Sequence, residues 1–150
     1  MTRQLPPKPK LPRIITVLYV SPFAEDYVSL QTVLNRSNWK LHNSESVLSA
    51  LAATRRWDIS VVICEQDLSP GTWIDMLEEL SILRIVPPLI VTSRLADSTL
   101  WVEALNLGAY DVLAKPFERS ELVRTVLGAV ALAPTAGVPA KVVNAMQTTS

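Results

Sequence analysis

Polar side chains follow several apolar runs of this sequence, at the points where the runs end. Glu65 and Thr92 each close a run, and Ser21 and Lys115 follow two others. Glu65 supplies a carboxylate, which is chemically able to carry a phosphoryl group, and Lys115 supplies an ammonium group of opposite charge. A direct contact between them would leave little electrostatic drive to recruit a divalent cation. The chemistry therefore depends on the elements that position these residues.

Short apolar runs alternate with helical patterns along most of the chain. The apolar runs predict strands at Ile14–Val20, Trp39–His42, Ser60–Cys64, Leu89–Thr92 and Asp111–Ala114. The helical patterns predict helices at Glu25–Asn35, Glu45–Arg55, Trp73–Leu83, Ser98–Leu107 and Arg119–Leu132. Strands this apolar need cover on both faces, which predicts an α/β fold with a parallel sheet between helix layers. The repeated strand–helix order favours a doubly wound, flavodoxin-like sheet of order 2-1-3-4-5.

Ligands of such a sheet bind beyond the carboxyl ends of its strands, near the switch between the first and third strands. The residues predicted to lie at this edge are Ser21, Pro22, Glu65, Asp67, Thr92, Lys115 and Pro116. Local signals support the helices that connect these strands. Thr72-x-x-Asp75 is typical of a helix start, Asn43 or Ser44 is expected to cap the second helix, and Gly108 is expected to end the fourth.

Composition excludes several classes of function. The chain has 150 residues with 14 basic and 14 acidic side chains, so no basic excess points to nucleic acid. Cys64 and His42 are each the single residue of their type, which rules out an internal disulfide and a multi-histidine metal site. No apolar run approaches the ~20 residues of a membrane span, and we expect a cytoplasmic protein. We expect a flexible basic, proline-rich arm at 1–12, one domain at 13–132 and a flexible tail at 133–150.

One stretch carries a resemblance to a known family. Residues 107–117 read Leu-Gly-Ala-Tyr-Asp-Val-Leu-Ala-Lys-Pro-Phe, and a strand ending in Val-Thr-Ser precedes them at 91–93. With the third strand and the loop 66–71, this pattern resembles the receiver (CheY-like) domain of bacterial response regulators over Arg13 to Leu132. The resemblance implies an acidic pair and a strand-ending Asp that hold Mg²⁺, the Asp accepting a phosphoryl group from a histidine kinase. It also implies a Lys and a Ser or Thr that contact the phosphoryl oxygens, which here are Lys115 and Thr92.

The acidic residues depart from that family pattern. Ser21 and Pro22 stand where the acidic pair belongs, and Glu65 stands at the phosphoacceptor position, so we expect the Mg²⁺ site to be lost. Glu25 and Asp26 are explained as acids that favour the start of a helix. The family places an aromatic residue three positions before its lysine. This chain has Val112 there, and Tyr110 on the same predicted strand face, so the relay from the threonine is in doubt. The Lys115-Pro116 bond is a candidate cis peptide.

The predicted function is that of a stand-alone receiver-like domain of two-component signalling with a degenerate pocket. We expect no enzymatic turnover, because no nucleophile–base pair is present. The predicted partners are proteins: a histidine kinase, a downstream regulator, or a second copy bound through the fourth helix, fifth strand and fifth helix. Val102 and Glu103 mark that surface, whereas Trp101 is predicted to lie in the core. Two alternatives remain open: a working phospho-acceptor that uses Glu65 or Asp67, and a small-ligand sensor at the same edge.

Overall fold

A computed structural model describes residues 14–35 and 37–132, and its centre is a parallel sheet. The strands are β1 (Thr16–Val20), β2 (Lys40–Ser44), β3 (Val61–Glu65), β4 (Leu89–Ser93) and β5 (Asp111–Ala114). Their order is β2-β1-β3-β4-β5, which confirms the predicted doubly wound sheet. The predicted arm at 1–12 and the predicted tail at 133–150 lie outside the described residues.

Each strand is followed by a helix, and the first four helices return the chain to the amino end of the next strand. The helices are α1 (Ala24–Val33), α2 (Val47–Arg56), α3 (Trp73–Leu80), α4 (Ser98–Leu107) and α5 (Arg119–Ala131). One face of the sheet packs against α2, α3 and α4, and the other packs against α1 and α5. None of the described helices combines the length and the apolar character needed to cross a bilayer.

Burial on both faces explains why the central strands read as continuous apolar runs. Every residue of β3 and β4 is buried, as is β1 after its first residue. Along β1, Leu18 faces the layer of α2, α3 and α4, whereas Val17 and Tyr19 face α1 and α5. Since neighbouring residues point to opposite layers, a one-residue slip would exchange the two faces, and the register of the central strands is therefore firmly specified.

Polar side chains fix where several helices begin. Thr72 and Asp75 form a capping box at the start of α3, as predicted, with the Thr72 N–H donating to Asp75 Oδ2 at 2.8 Å. The predicted cap of α2 was wrong: Ser46 is its N-cap, because β2 extends through Ser44 and the Ser46 hydroxyl accepts from the Ser49 N–H. Gly108 ends α4 at a φ of 110°, a left-handed conformation that favours glycine.

Trp101 was predicted to lie in the core, and this prediction was wrong. Its side chain is 48% exposed on α4. The helix buries Leu100 and Ala104, which are one turn apart and therefore lie above one another against the sheet. Trp101 follows Leu100 by one residue, which rotates it about 100° away from that buried stripe and toward solvent.

Candidate functional site

The strand ends that were predicted to carry chemistry meet at one edge of the sheet. Glu65 at the end of β3 lies in register with Thr92 of β4. Lys115 follows β5, and its backbone N–H donates to the carbonyl of Ser93 at 3.1 Å. These contacts place the side chains of three neighbouring strands around one small buried volume, here called the edge pocket and defined by Asp26, Glu65, Thr92 and Lys115.

The ammonium group of Lys115 lies between two carboxylates. Its Nζ is 2.7 Å from Glu65 Oε2 and 2.6 Å from Asp26 Oδ2. The side chains of Lys115, Glu65 and Asp26 are 5%, 8% and 9% exposed, so water screens these contacts poorly. The expected contact between Lys115 and Glu65 is confirmed, and the pocket holds a second acid that the sequence interpretation had placed elsewhere.

Asp26 corrects the interpretation of the first helix turn. The sequence explains it as an acid at the favourable start of a helix, but it is buried, and its Oδ2 accepts a hydrogen bond from the Lys115 ammonium. The signal that could have found it is helical spacing: Asp26 precedes Leu30 and Leu34 by one and two turns, and both leucines are buried. An acid on the buried stripe of a helix requires a charged or hydrogen-bonding partner.

Ser21 and Pro22, which stand in place of the family's acidic pair, supply no carboxylate and instead form the turn that precedes α1. Ser21 is buried, and its Oγ accepts a hydrogen bond from the Phe23 N–H at 3.1 Å. The Asp26 N–H then donates to the Phe23 carbonyl at 3.1 Å, which closes the first turn of α1. Pro22 lies between these residues and has no side-chain donor or acceptor. The turn thus directs Asp26 into the edge pocket.

Thr92 completes the hydrogen bonding of the edge pocket. Its Oγ1 donates to Glu65 Oε2 at 3.1 Å, and the residue is fully buried. One oxygen of Glu65 therefore contacts both the hydroxyl of Thr92 and the ammonium of Lys115. The ring of Phe23 lies 5.3 Å from Lys115 Nζ and adds a cation–π contact.

Burial dominates the acid–base behaviour of Glu65. It raises the pKa of this carboxyl above the ordinary value, because the charged form loses its hydration. The hydrogen bond and positive charge of Lys115 oppose that rise, as does the Thr92 hydrogen bond, while the negative charge of Asp26 adds to it. The outcome is a carboxyl whose proton affinity is higher than that of an exposed glutamate and depends directly on the lysine beside it.

Tyr19 is a pocket neighbour that the sequence interpretation missed. It is fully buried, its ring packs edge-on against Phe117, and its hydroxyl has no hydrogen-bond partner within the described residues. Burial and the negative charge of Asp26 raise the pKa of this phenol. The available signal was the strand period of two, because Tyr19 lies two residues before Ser21 and so points to the same face of the sheet.

Asp67 lies outside the edge pocket. Strand β3 ends at Glu65, and Asp67 is exposed in the following loop, where it forms an isolated bridge with Thr72. The Lys115-Pro116 bond is cis, as proposed from the sequence, and the Ser69-Pro70 bond, for which no prediction was made, is also cis.

The expected alignment of Tyr110 with Val112 was wrong. Val112 packs toward the layer of α2, α3 and α4, whereas Tyr110 packs toward α1 and α5 and lies against Gly128. The reason is that β5 begins at Asp111, so Tyr110 precedes the strand and does not follow its alternation. No aromatic residue of β5 therefore lies beside Thr92.

A small opening adjoins the edge pocket on its solvent side. It has a volume of about 280 Å³ and is lined by Asp26, Ser29, Arg94, Lys115, Pro116 and Phe117.

Cys64 of β3 is buried, and burial raises the pKa of its thiol, so this residue behaves as a packed core side chain.

Sequence comparison relates this chain to one family over most of its length. The profile of the response regulator receiver domain matches residues 27–127. The transcriptional regulatory protein ZraR of Salmonella typhimurium is 27% identical over 117 residues, which cover 78% of this chain and 26% of ZraR. The DNA-binding transcriptional regulator NtrC of Rhizobium meliloti is 28% identical over 112 residues, covering 72% of this chain and 23% of NtrC. The chain thus spans about a quarter of the length of these curated relatives.

Solved structures show the same fold. The chemotaxis response regulator CheY4 of Vibrio cholerae superposes with a TM-score of 0.68 at 17% identity, covering 77% of this chain and 98% of CheY4. The order of strands and the placement of helices on the two faces agree with that architecture.

Proposed function

Because the chain belongs to the response regulator receiver domain family, we propose that it is a two-component signalling module whose edge pocket is held by an internal cation. The observation that carries the proposal is the position of Lys115 Nζ, within 2.7 Å of Glu65 Oε2 and 2.6 Å of Asp26 Oδ2. The ammonium of the chain itself contacts both buried carboxylates and reduces their combined formal charge from −2 to −1. The pocket therefore holds a cation of its own at the point where the two carboxylates meet, without a metal ion.

The side chains at this edge do not fit Mg²⁺, which favours several oxygen ligands in near-octahedral geometry. Pro22 offers no ligand, and the Ser21 hydroxyl oxygen already accepts from a backbone N–H. The carboxylates of Asp26 and Glu65 both contact Lys115. Within residues 14–35 and 37–132, no group of three or more His, Cys, Asp or Glu side chains is arranged to hold a metal ion.

Glu65 is proposed to stand in for the phosphorylated form of the family's aspartate. Its longer side chain brings Oε2 to the hydroxyl of Thr92 and the ammonium of Lys115. These are the two residue types that contact the phosphoryl oxygens in the family. A carboxylate that holds both at all times would keep the threonine turned inward, so signalling would be constitutive rather than gated by a kinase.

The output of such a module is proposed to be protein contact, made in the cytoplasm through the face of α4, β5 and α5. On this face Trp101 and Val102 are 48% and 50% exposed. A shallow groove beside them is lined by Ser98, Thr99, Val102, Glu103, Asn106 and Leu107. Exposed apolar groups in such a setting favour a protein partner, which would be a histidine kinase, a downstream regulator or a second copy.

The test is phosphoryl transfer to the full chain. We expect incubation with acetyl phosphate and Mg²⁺ to add no phosphoryl mass by intact mass spectrometry, while a receiver with a complete acidic set is labelled in parallel. Glu65→Gln and Asp67→Asn serve as matched variants. An Mg²⁺-dependent adduct that one of these variants abolishes would overturn the proposal and establish a working phospho-acceptor at that residue.

A further inference from the structure

A second site lies at the opposite, amino edge of the sheet, between the α2–β3 and α3–β4 connections. This groove, here called the basic groove, has a volume of about 400 Å³. The residues that give it its character are Arg55, Arg56, Trp57, Asp58, Arg84 and Ile85. The basic groove lies at the amino ends of the strands and the edge pocket at their carboxyl ends, so the length of the strands separates the two sites.

Positive charge is concentrated in the basic groove although the chain as a whole is neutral. Arg55 and Arg56 are the last two residues of α2, and Arg84 follows α3, and all three line the groove. Asp58 is the one acid in its lining. No described carboxylate lies within ion-pair distance of these arginines, because both ion pairs of the described residues belong to Lys115. The guanidinium groups of these arginines are therefore available to pair with the carboxylates of a ligand.

An aromatic anchor is held in place within the same groove. The indole of Trp57 is 37% exposed and stacks on the ring of His42 with centroids 3.7 Å apart. The guanidinium of Arg56 lies 4.9 Å from the Trp57 ring. Burial and the charges of Lys40 and Arg56 lower the pKa of His42, which is consistent with a positive potential at this edge. A fixed tryptophan among arginines has the composition of an interface hot spot.

We propose that the basic groove binds an acidic peptide segment of a protein partner, with carboxylates paired to Arg55, Arg56 and Arg84 and an apolar side chain against Trp57 and Ile85. Charge complementarity selects acidic residues, and the apolar wall selects one or two aliphatic or aromatic side chains among them. The inference is independent of the edge pocket and of the face of α4, β5 and α5.

The same features disfavour nucleic acid as the occupant. His42 already covers a face of the Trp57 ring, which leaves less aromatic surface for base stacking. The chain also lacks the basic excess that a general nucleic-acid binder uses. A peptide can place an apolar side chain against Ile85, which a phosphate backbone cannot do.

The experiment measures binding of a fluorescein-labelled dodecapeptide of alternating glutamate and leucine to the full chain, by anisotropy at about physiological ionic strength. We expect saturable binding that is lost when glutamine replaces every glutamate. Arg84→Glu should weaken binding by about tenfold or more. Arg124→Glu, an equal change of charge at an exposed position of α5, should weaken it by less than about twofold.

Three results would overturn the inference. The first is no saturable binding of the glutamate–leucine peptide. The second is an equal loss of affinity in Arg84→Glu and Arg124→Glu, since that would reflect net charge rather than the groove. The third is tighter binding of a single-stranded oligonucleotide of the same charge that competes with the peptide, because the groove would then belong to nucleic acid.

Discussion

Replacement of Lys115 by methionine tests the central feature of the edge pocket. The substitution keeps most of the side-chain volume but removes the ammonium from between Asp26 and Glu65, which lie within 2.7 Å of it. Because these side chains are at most 9% exposed, solvent does not replace the lost contacts. Breaking a buried ion pair by removing one partner costs about 3–5 kcal/mol. We expect Lys115→Met to lower the free energy of unfolding by that amount at neutral pH.

The loss in free energy of unfolding caused by Lys115→Met should depend on which carboxylates remain in the edge pocket. In Glu65→Gln/Lys115→Met, one of the two uncompensated charges is gone, and the Thr92 hydroxyl can still donate to the amide oxygen. We expect this double variant to recover about 1–3 kcal/mol relative to Lys115→Met alone. Asp26→Asn/Lys115→Met should recover a similar amount, because it removes the other charge.

The assay is urea unfolding of the wild type, the single variants and the double variants, with the slopes compared to verify that the same surface is exposed in each. If Lys115→Met alone does not fold at neutral pH, recovery of folding in Glu65→Gln/Lys115→Met or Asp26→Asn/Lys115→Met reports the coupling, and failure of both double variants to fold contradicts it. Effects that add to within about 0.5 kcal/mol would refute direct coupling of Lys115 to the two carboxylates.

Two further predictions address the proton of the edge pocket and the partner surface. Because the pKa of Glu65 is raised, the folded chain keeps a proton that the unfolded chain has already released. The wild type should therefore lose stability relative to Glu65→Gln as the pH rises from the ordinary glutamate value through the raised one, and parallel pH profiles would contradict this. Val102→Asp should reduce self-association or partner capture, measured by sedimentation velocity and pull-down, whereas Val28→Asp at a similarly exposed position of α1 should not. Equal behaviour of the two variants would move the partner surface elsewhere.

The sequence predicts those parts of the fold for which the physical constraints allow only one arrangement. Strands buried on both faces must be apolar throughout, so the central strands were identifiable, and their order fixed which strand ends would meet. Glu65, Thr92 and Lys115 could be placed together on that basis alone. Gly108 was identifiable as a helix end because a left-handed residue is needed there.

The parts that could not be predicted depend on the rotation of helices and on residues that lie just outside a strand. Asp26 has two valid explanations, a favourable helix start and a buried partner for a lysine, and only the rotation of α1 decides between them. The prediction for Trp101 was wrong for the same reason, because a rotation of α4 by one residue exchanges a buried position for an exposed one. The prediction for Tyr110 was wrong because this residue precedes β5, which begins at Asp111 as predicted, and the alternation of a strand does not extend to a residue outside it.

The distribution of tryptophan gives this chain its own optical labels. Of its four tryptophans, Trp73 is buried at the start of α3, Trp39 is half-buried beside β2, Trp57 lies in the basic groove, and Trp101 lies on the outer side of α4. Their indoles differ in burial and hydration, and within the described residues only Trp57 has a cation–π contact, which it makes with Arg56. Emission maxima and quenching by anionic or cationic solutes therefore separate core, groove and helix face without any attached dye.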